Sequence, residues 1–362
     1  MRTLLFVGTN AGPGGTESHF VSLVLAMADA GHRVGAVVRP GDYIHRALEA
    51  DGRVQLFPAC FERTLDARAT LAVAHATRAI KPDHLVGTFS HEYWGLVAVS
   101  KSLGVPLVVF RHVRRLTRRA ARVLPHLVER VLLPSNWLRD WMVRRGMPRD
   151  RTAVLYNPVD VTRFRPDASL RAESRRALGF ADDDVVVGYL GRFDEQKGVR
   201  MLPEVLERVM QQDQRVRALW VGHGEEGADI EQRIKTSPHH DRHVIAPWSA
   251  DIVPSYAAMD IVAFPSMRHE AFGRVSIEAQ AFEIPVLASN VGGVPESMTD
   301  GETGILLPAG DVEAWTCALR SLTGDPARRR QMGRAGRQLV TERFSAPRIA
   351  QAFDELLGAP RP

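Results

Sequence analysis

Short apolar runs alternate with longer amphipathic stretches twice along these 362 residues, and that alternation constrains the fold more than any other feature. Residues 3–7 (TLLFV) are apolar throughout, as a strand buried on both faces requires. Residues 18–30 follow with Phe20, Val21, Val24, Leu25 and Ala28 at helical spacing. Strand-like runs recur at 33–38, 85–87, 106–110 and 131–134. A second series opens with a strand at 185–190 and a helix at 199–210, then adds strands at 216–222, 261–265 and 286–289. Two such series predict an α/β chain with two parallel-sheet domains. The seam falls within 156–184, where YNPVDVTRFRPD is rich in Pro, Asp and Arg and no apolar period appears before Leu170. The expected division is 1–165, 166–345 and a closing segment 346–362, made of a helix at 347–357 and a frayed GAPRP tail.

With 45% hydrophobic and 25% charged residues, the composition excludes disordered, collagenous and integral membrane classes. Two cysteines, Cys60 and Cys317, cannot build a disulfide framework or a four-ligand zinc site. The opening run MRTLLFVGTN is too short for a signal peptide or a membrane span, so a soluble protein of a reducing compartment is expected. Charge becomes informative once located. The net charge is +5, yet residues 101–151 hold Lys101 and twelve arginines against Glu129, Asp140 and Asp150, a local +10. One basic block implies one anionic surface to meet, rather than general nucleic-acid affinity.

Within that block Arg111, Arg114, Arg115, Arg118, Arg119 and Arg122 recur at the spacing of one helical face. Val113, Leu116, Ala120 and Val123 occupy much of the remainder, and no acid relieves the repulsion at helical spacing. An anionic membrane or a lipid-linked phosphorylated acceptor would stabilise such a face. A solvated helix face is the plain alternative, and nucleic acid lacks both a recognition fold and stacking aromatics here.

In open parallel sheets ligands collect at the carboxyl ends of the strands, which singles out three loops. Residues 8–16 (GTNAGPGGT) leave a strand and open a helix, so their glycines either bring backbone N–H groups to an anion or only make a tight turn. Neither the dinucleotide fingerprint nor a P-loop is present, which sets aside an NAD oxidoreductase. Residues 191–198 (GRFDEQKG) carry Arg192 and Lys197 between glycines, a fork and a point charge suited to a diphosphate. Residues 269–278 (HEAFGRVSIE) lead into an apolar helix at 275–282 and place Glu270 and Glu278 eight residues apart. Such carboxylates accept hydroxyl hydrogens from a sugar or ribose, and a helix start favours negative charge. An exposed helical glutamate is the alternative for Glu278, although its neighbours Ile277, Ala279 and Ala281 are apolar or small.

Taken in order, GPGGTE, NPVDVTRF, GRFDEQKG, VGHGEE and HEAFGRVSIEAQAFEIPVLASNVGGVPESMTDGETGILLP resemble the retaining GT-B glycosyltransferases of family 4. The likeness covers most of the chain and is strongest over 188–311. It implies two Rossmann-like domains facing across a cleft, with the last helix crossing back to the N-terminal domain. By the same resemblance Arg192 and Lys197 clamp a diphosphate, Glu278 binds ribose hydroxyls and Glu270 faces the transferred sugar. The backbone of Ala271, Phe272, Gly273, Arg274 and Val275 then touches sugar and phosphate, with Gly14 and Gly15 beside the diphosphate and Gly222 near the nucleotide. His112 matches an active-site histidine near the transferring sugar, though Arg111 before it departs from the common pattern and a surface histidine is the alternative. His91 is a candidate acceptor contact, unless Phe89, Tyr93 and Trp94 around it only pack.

The resemblance further implies retaining hexosyl transfer from a nucleotide diphosphate sugar, UDP-sugar favoured and GDP-sugar next. The acceptor would be a hydroxyl of a cell-envelope glycan or lipid-linked molecule, as in lipopolysaccharide biosynthesis. The expected place is the cytoplasm or the inner face of the plasma membrane, with no cofactor and no metal. A nucleotide-sugar epimerase of similar fold and a non-enzymatic binder of anionic surfaces are the competing readings.

Overall fold

The N-terminal apolar run becomes β1 (Thr3–Gly8) in a computed structural model that describes residues 1–358. Leu4, Leu5, Phe6 and Val7 are buried, because β1 lies inside a parallel sheet. Its neighbours are β2 (Arg33–Val38), β3 (Gln55–Pro58), β4 (His84–Gly87), β5 (Leu107–Phe110), β6 (Arg130–Leu133) and β7 (Thr152–Val154), in the order β3-β2-β1-β4-β5-β6-β7. Gly8 pairs with Val38 and Val7 with Gly87, so the loops leaving β1, β2 and β4 share one edge. The strand order reverses between β1 and β4, the kind of place where open α/β sheets bind ligands.

A second sheet holds β8 (Val185–Leu190), β9 (Val216–Val221), β10 (His243–Ala246), β11 (Ile261–Phe264), β12 (Val286–Ser289) and β13 (Gly304–Leu307). Its order is β10-β9-β8-β11-β12-β13, again all parallel, and it reverses between β8 and β11. Nine strands read from the sequence are therefore present. Four unread ones, β3, β7, β10 and β13, are the edge strands of the two sheets. An edge strand needs no continuous apolar run, and β10 is at most half-buried along its length.

The chain divides into Met1–Pro158 with the segment from Phe344 onward, and Val159–Arg343. This moves the first boundary back from 165, for a packing reason. Phe164 sits edge-on to Tyr256 and Phe282 of the second unit, and the Arg337 guanidinium donates to the carbonyls of Val161 and Phe164. The second boundary moves from 345 to 343, because Phe344 lies edge-on to Tyr156 of the first unit.

The final helix, Ala346–Leu357, then buries Ile349, Ala350, Phe353 and Leu357 in the first unit's core. Each large apolar side chain so placed contributes roughly 1.5–3 kcal/mol. Asp354 on the same helix accepts from Arg2 at 3.1 Å and meets His32 at 2.9 Å. Residues 359–362, most of the expected tail, lie outside the described residues. Among those described, no helix is long and apolar enough to cross a membrane.

Candidate active site

In the second unit the loops leaving β8 and β11 meet where the strand order reverses. Asp194 caps the short turn Glu195–Lys197 by accepting from the Lys197 amide at 2.9 Å, and its other oxygen holds Arg192 at 2.9 Å. Tyr189, buried in β8, donates its hydroxyl to the Arg192 carbonyl at 2.7 Å. Gly198 has φ 71°, and a Cβ there would strike the Pro265 carbonyl, so only glycine lets the two loops close up. The closure delivers Lys197 to Glu270: Nζ donates to Oε1 at 2.6 Å, and the buried Ser266 hydroxyl donates to the same oxygen at 2.6 Å.

The helix Arg274–Ala281 starts just beyond, and its N-cap, Gly273, offers no side chain to the first turn. Its Glu278 is buried rather than solvated. Arg274 Nε donates to Oε1 at 2.6 Å and the Tyr256 hydroxyl to Oε2 at 2.9 Å. Burial, with the adjacent carboxylate, raises the Tyr256 phenol well above its usual range and keeps it a donor. Phe272 is buried and Ala271, Arg274 and Val275 are half-buried, so this stretch reaches the surface mainly on either side of Gly273. Gly222 answers a packing need: with φ 154°, its Cβ would strike the Gly191 carbonyl.

In the first unit the corresponding edge carries the glycine-rich turn, His91 and His112. Gly14 is the N-cap and Gly15 the first residue of the helix Gly15–Asp29. Asn10 reaches across the turn to the Glu17 carboxylate, whose pKa burial raises. His112 follows β5, stacked on Phe110 with ring centroids 4.9 Å apart and 4.3 Å from the buried ring of His19. His91 lies on the loop leaving β4, and burial first, then Arg39, holds its pKa below the usual value.

The arginine face is where the sequence expectation fails. Arg111 is fully buried, its amide bonded to the Leu132 carbonyl at 2.8 Å as the backbone runs on past β5. Its guanidinium donates to Ser90 Oγ at 3.1 Å and to the Arg115 carbonyl. The helix begins only at Arg118, capped by Thr117, and runs Arg118–Leu127. One face therefore does not link all six arginines. Arg114 instead lies over the Trp141 ring at 5.5 Å, with Arg145 over the same ring at 4.3 Å. Arg115, Arg118, Arg119 and Arg122 are exposed, as is Val123, which was expected on the apolar side. Arg119, Ala120, Val123, Thr117 and Trp94 line an open depression of about 390 Å³.

Two family models match this chain, "Glycosyl transferases group 1" over residues 171–339 and "Glycosyltransferase Family 4" over residues 13–163. The chain is a glycosyltransferase of the family 4 type. The lipopolysaccharide core biosynthesis glycosyltransferase LpsE of Rhizobium meliloti is 27% identical over 96% of both chains. The D-inositol 3-phosphate glycosyltransferase of Corynebacterium diphtheriae is 36% identical over 51% of this chain and 45% of its own, so this glycosyltransferase spans less than half of that relative. The structure of Anabaena HepE with UDP and glucose superposes with a TM-score of 0.84 over 99% of both chains at 23% identity, which shows the GT-B fold.

Of this glycosyltransferase's expected residues, Arg192, Lys197, Glu270, Glu278 and 271–275 gather on the second sheet's carboxyl edge. Gly14, Gly15, His91 and His112 gather on the first. Sequence reading missed Ser266, Tyr256, Tyr189, His19 and Glu92. Ser266 had one available signal, its position two residues beyond β11. Tyr256 and Glu92 reach their partners by packing and had none.

Proposed function

We propose that the protein transfers a sugar, with retained anomeric configuration, from a nucleotide diphosphate sugar to a hydroxyl of a cell-envelope glycan or lipid-linked acceptor. UDP-sugar is the favoured donor and GDP-sugar the next. The observation that carries this reading is the Lys197–Glu270–Ser266 cluster, where the strand order reverses, with Arg192 on the same loop. Lys197 is only partly exposed and already pairs with an anion, so a diphosphate competes for it as a chemically similar partner. Its transfer to phosphate would release Glu270, still oriented by Ser266, to accept hydroxyl hydrogens of the sugar.

On this route the bond from the anomeric carbon to the diphosphate breaks as the acceptor oxygen arrives on the same face, and the acceptor proton passes to the departing phosphate oxygen. Lys197 and Arg192 stabilise the charge that builds on the leaving group, which is where preorganised donors lower a barrier most. On this reading Lys197 and Arg192, rather than a metal ion, neutralise the diphosphate.

The exposed Arg118, Arg119 and Arg122 beside Val123 and Trp94 favour an anionic, partly apolar partner on the first unit, a lipid-linked acceptor or the surface that bears it. Each arginine near an anionic surface is worth about 1 kcal/mol.

A panel of UDP- and GDP-sugars, each with and without glycan and lipid-phosphate acceptors and read by product mass spectrometry and anomeric NMR, tests the proposal. Acceptor-dependent donor loss with a retained anomeric centre is expected. Acceptor-independent conversion of the donor would make it an epimerase, and no consumption of any donor would leave a binding protein. Glu278→Ala should weaken nucleotide diphosphate binding itself, whereas Glu270→Ala should spare the free nucleotide and damage binding of the intact donor.

A further inference from the structure

The reversal of strand order between β1 and β4 in the first unit is also bridged by a glutamate, one that the transfer route leaves unused. Glu92 ends the loop leaving β4 and is fully buried. Its Oε1 accepts from the Thr9 amide at 2.6 Å and the Thr9 hydroxyl at 2.8 Å, while the Phe89 amide points at Oε2 from 3.4 Å. Thr9 is the first residue past β1 and is itself buried. Its hydroxyl also accepts from the Phe61 amide at 3.3 Å, and its carbonyl accepts from Arg39 at 3.2 Å. Every polar group of Thr9 is thus engaged, and the turn up to Gly14 starts from that anchored residue.

We propose that Glu92 is a positioning residue that ties the glycine-rich turn ending at Gly14 and Gly15 to the loop carrying His91, without itself touching substrate. The proposal rests on the reading of that turn as part of the donor side. A carboxyl group suits the task because, neutral or ionised, one of its oxygens can take two converging donors, and losing it would strand a buried amide and hydroxyl. The placement also carries a pH signature. Burial pushes the Glu92 carboxyl up to about 8, against the lowering effect of its Thr9 hydrogen bonds. The charged or titratable groups around it are His91 at 3.9 Å, Arg39 on the loop leaving β2, and Tyr93 and Arg111 toward β5. Glu17 stands across the glycine-rich turn, bonded to Asn10. No lysine or arginine forms an ion pair with Glu92 among the described residues, so it titrates against neutral donors.

The test compares the whole chain as wild type, Glu92→Gln, Glu92→Ala and Thr9→Val. The measurements are donor kcat/KM across pH 6–9, thermal midpoint, and hydrogen exchange of the peptide spanning residues 8–15. Glu92→Ala should lower kcat/KM about tenfold or more, since small misplacements near reacting groups have large effects on rate. It should also speed exchange within 8–15 selectively. Glu92→Gln, which keeps an accepting oxygen, should recover most of that loss and remove a wild-type inflection near pH 8. Thr9→Val should resemble a mild Glu92→Ala. Unchanged kcat/KM and exchange in Glu92→Ala would overturn the proposal, as would a loss matched wholly by the unfolded fraction. If the wild type turns over no nucleotide sugar, the transfer reading falls and exchange alone decides: selective loosening of 8–15 supports the tie, and uniform or absent change overturns it.

Discussion

Each of the two sheets reverses its strand order once, and a single glutamate bridges the loops at each reversal. Between β8 and β11, Glu270 meets the Lys197 ammonium and the Ser266 hydroxyl, and both members of the ion pair keep some exposure. Between β1 and β4, Glu92 meets an amide and a hydroxyl of Thr9 away from solvent, and among the described residues no lysine or arginine pairs with it. A partly exposed pair is exchangeable, because a ligand phosphate reaching it replaces the carboxylate as a chemically similar anion for the lysine. A sealed carboxylate is not, because breaking its bonds leaves buried donors unsatisfied. On the proposed reading, topologically equivalent places serve binding in one unit and hold the backbone in the other.

Lys197→Ala breaks the contrast most directly. Removing the exchangeable cation should cut donor kcat/KM by about 10- to 100-fold, corresponding to roughly 1.5–3 kcal/mol for a hydrogen bond to a charged group. Arg192→Ala should lose less, since its side chain is 68% exposed against 22% for Lys197. Steady-state kinetics on both folded variants checks this, and a larger loss at Arg192 would reverse their assigned weights.

The next effect is on stability and belongs to Glu92. Its folded pKa of about 8 lies above the ordinary value of 4.5, so its contribution is fully present below pH 4.5 and is lost as pH rises toward 8. Between pH 5 and 8 the wild type should lose roughly 3–4 kcal/mol relative to Glu92→Gln, in denaturant titrations run at each pH. Parallel stability curves for the two proteins would mean that the carboxyl is not sealed as described.

A smaller change sharpens the picture on the binding side. Tyr256→Phe deletes one donor to Glu278 and keeps the ring, so nucleotide diphosphate should bind about 1 kcal/mol more weakly, near fivefold by calorimetry. No change would show that Arg274 alone orients Glu278. Smallest of all is the effect on folding of Arg118, Arg119 and Arg122 changed together to Ser, within about 0.5 kcal/mol per site as for ordinary surface positions. The same variant should lose salt-sensitive sedimentation with anionic vesicles. Wild-type indifference to anionic lipid would leave a soluble anionic acceptor as the partner of this face.

Nine inner strands were legible because burial on both faces demands an unbroken apolar run, and the four edge strands were not because they face no such demand. The loops with Arg192, Lys197, Glu270 and Glu278 were legible for the same reason: each begins or ends at an element whose pattern is local. Pairing was not legible. Lys197 and Glu270 stand 73 residues apart, and Thr9 and Glu92 stand 83 apart; no periodicity links them. The arginine spacing misled because Arg111 still bonds to the sheet through its amide and residues 112–117 are irregular before the helix starts at Arg118, so no single face joins the buried Arg111 to the exposed arginines. The sequence by itself determined which segments are buried strands and amphipathic helices, since periodicity answers to the nearest few residues. Only the tertiary structure decided which charges are sealed, paired or left to solvent, because burial and partnership depend on segments that meet only when the sheets assemble.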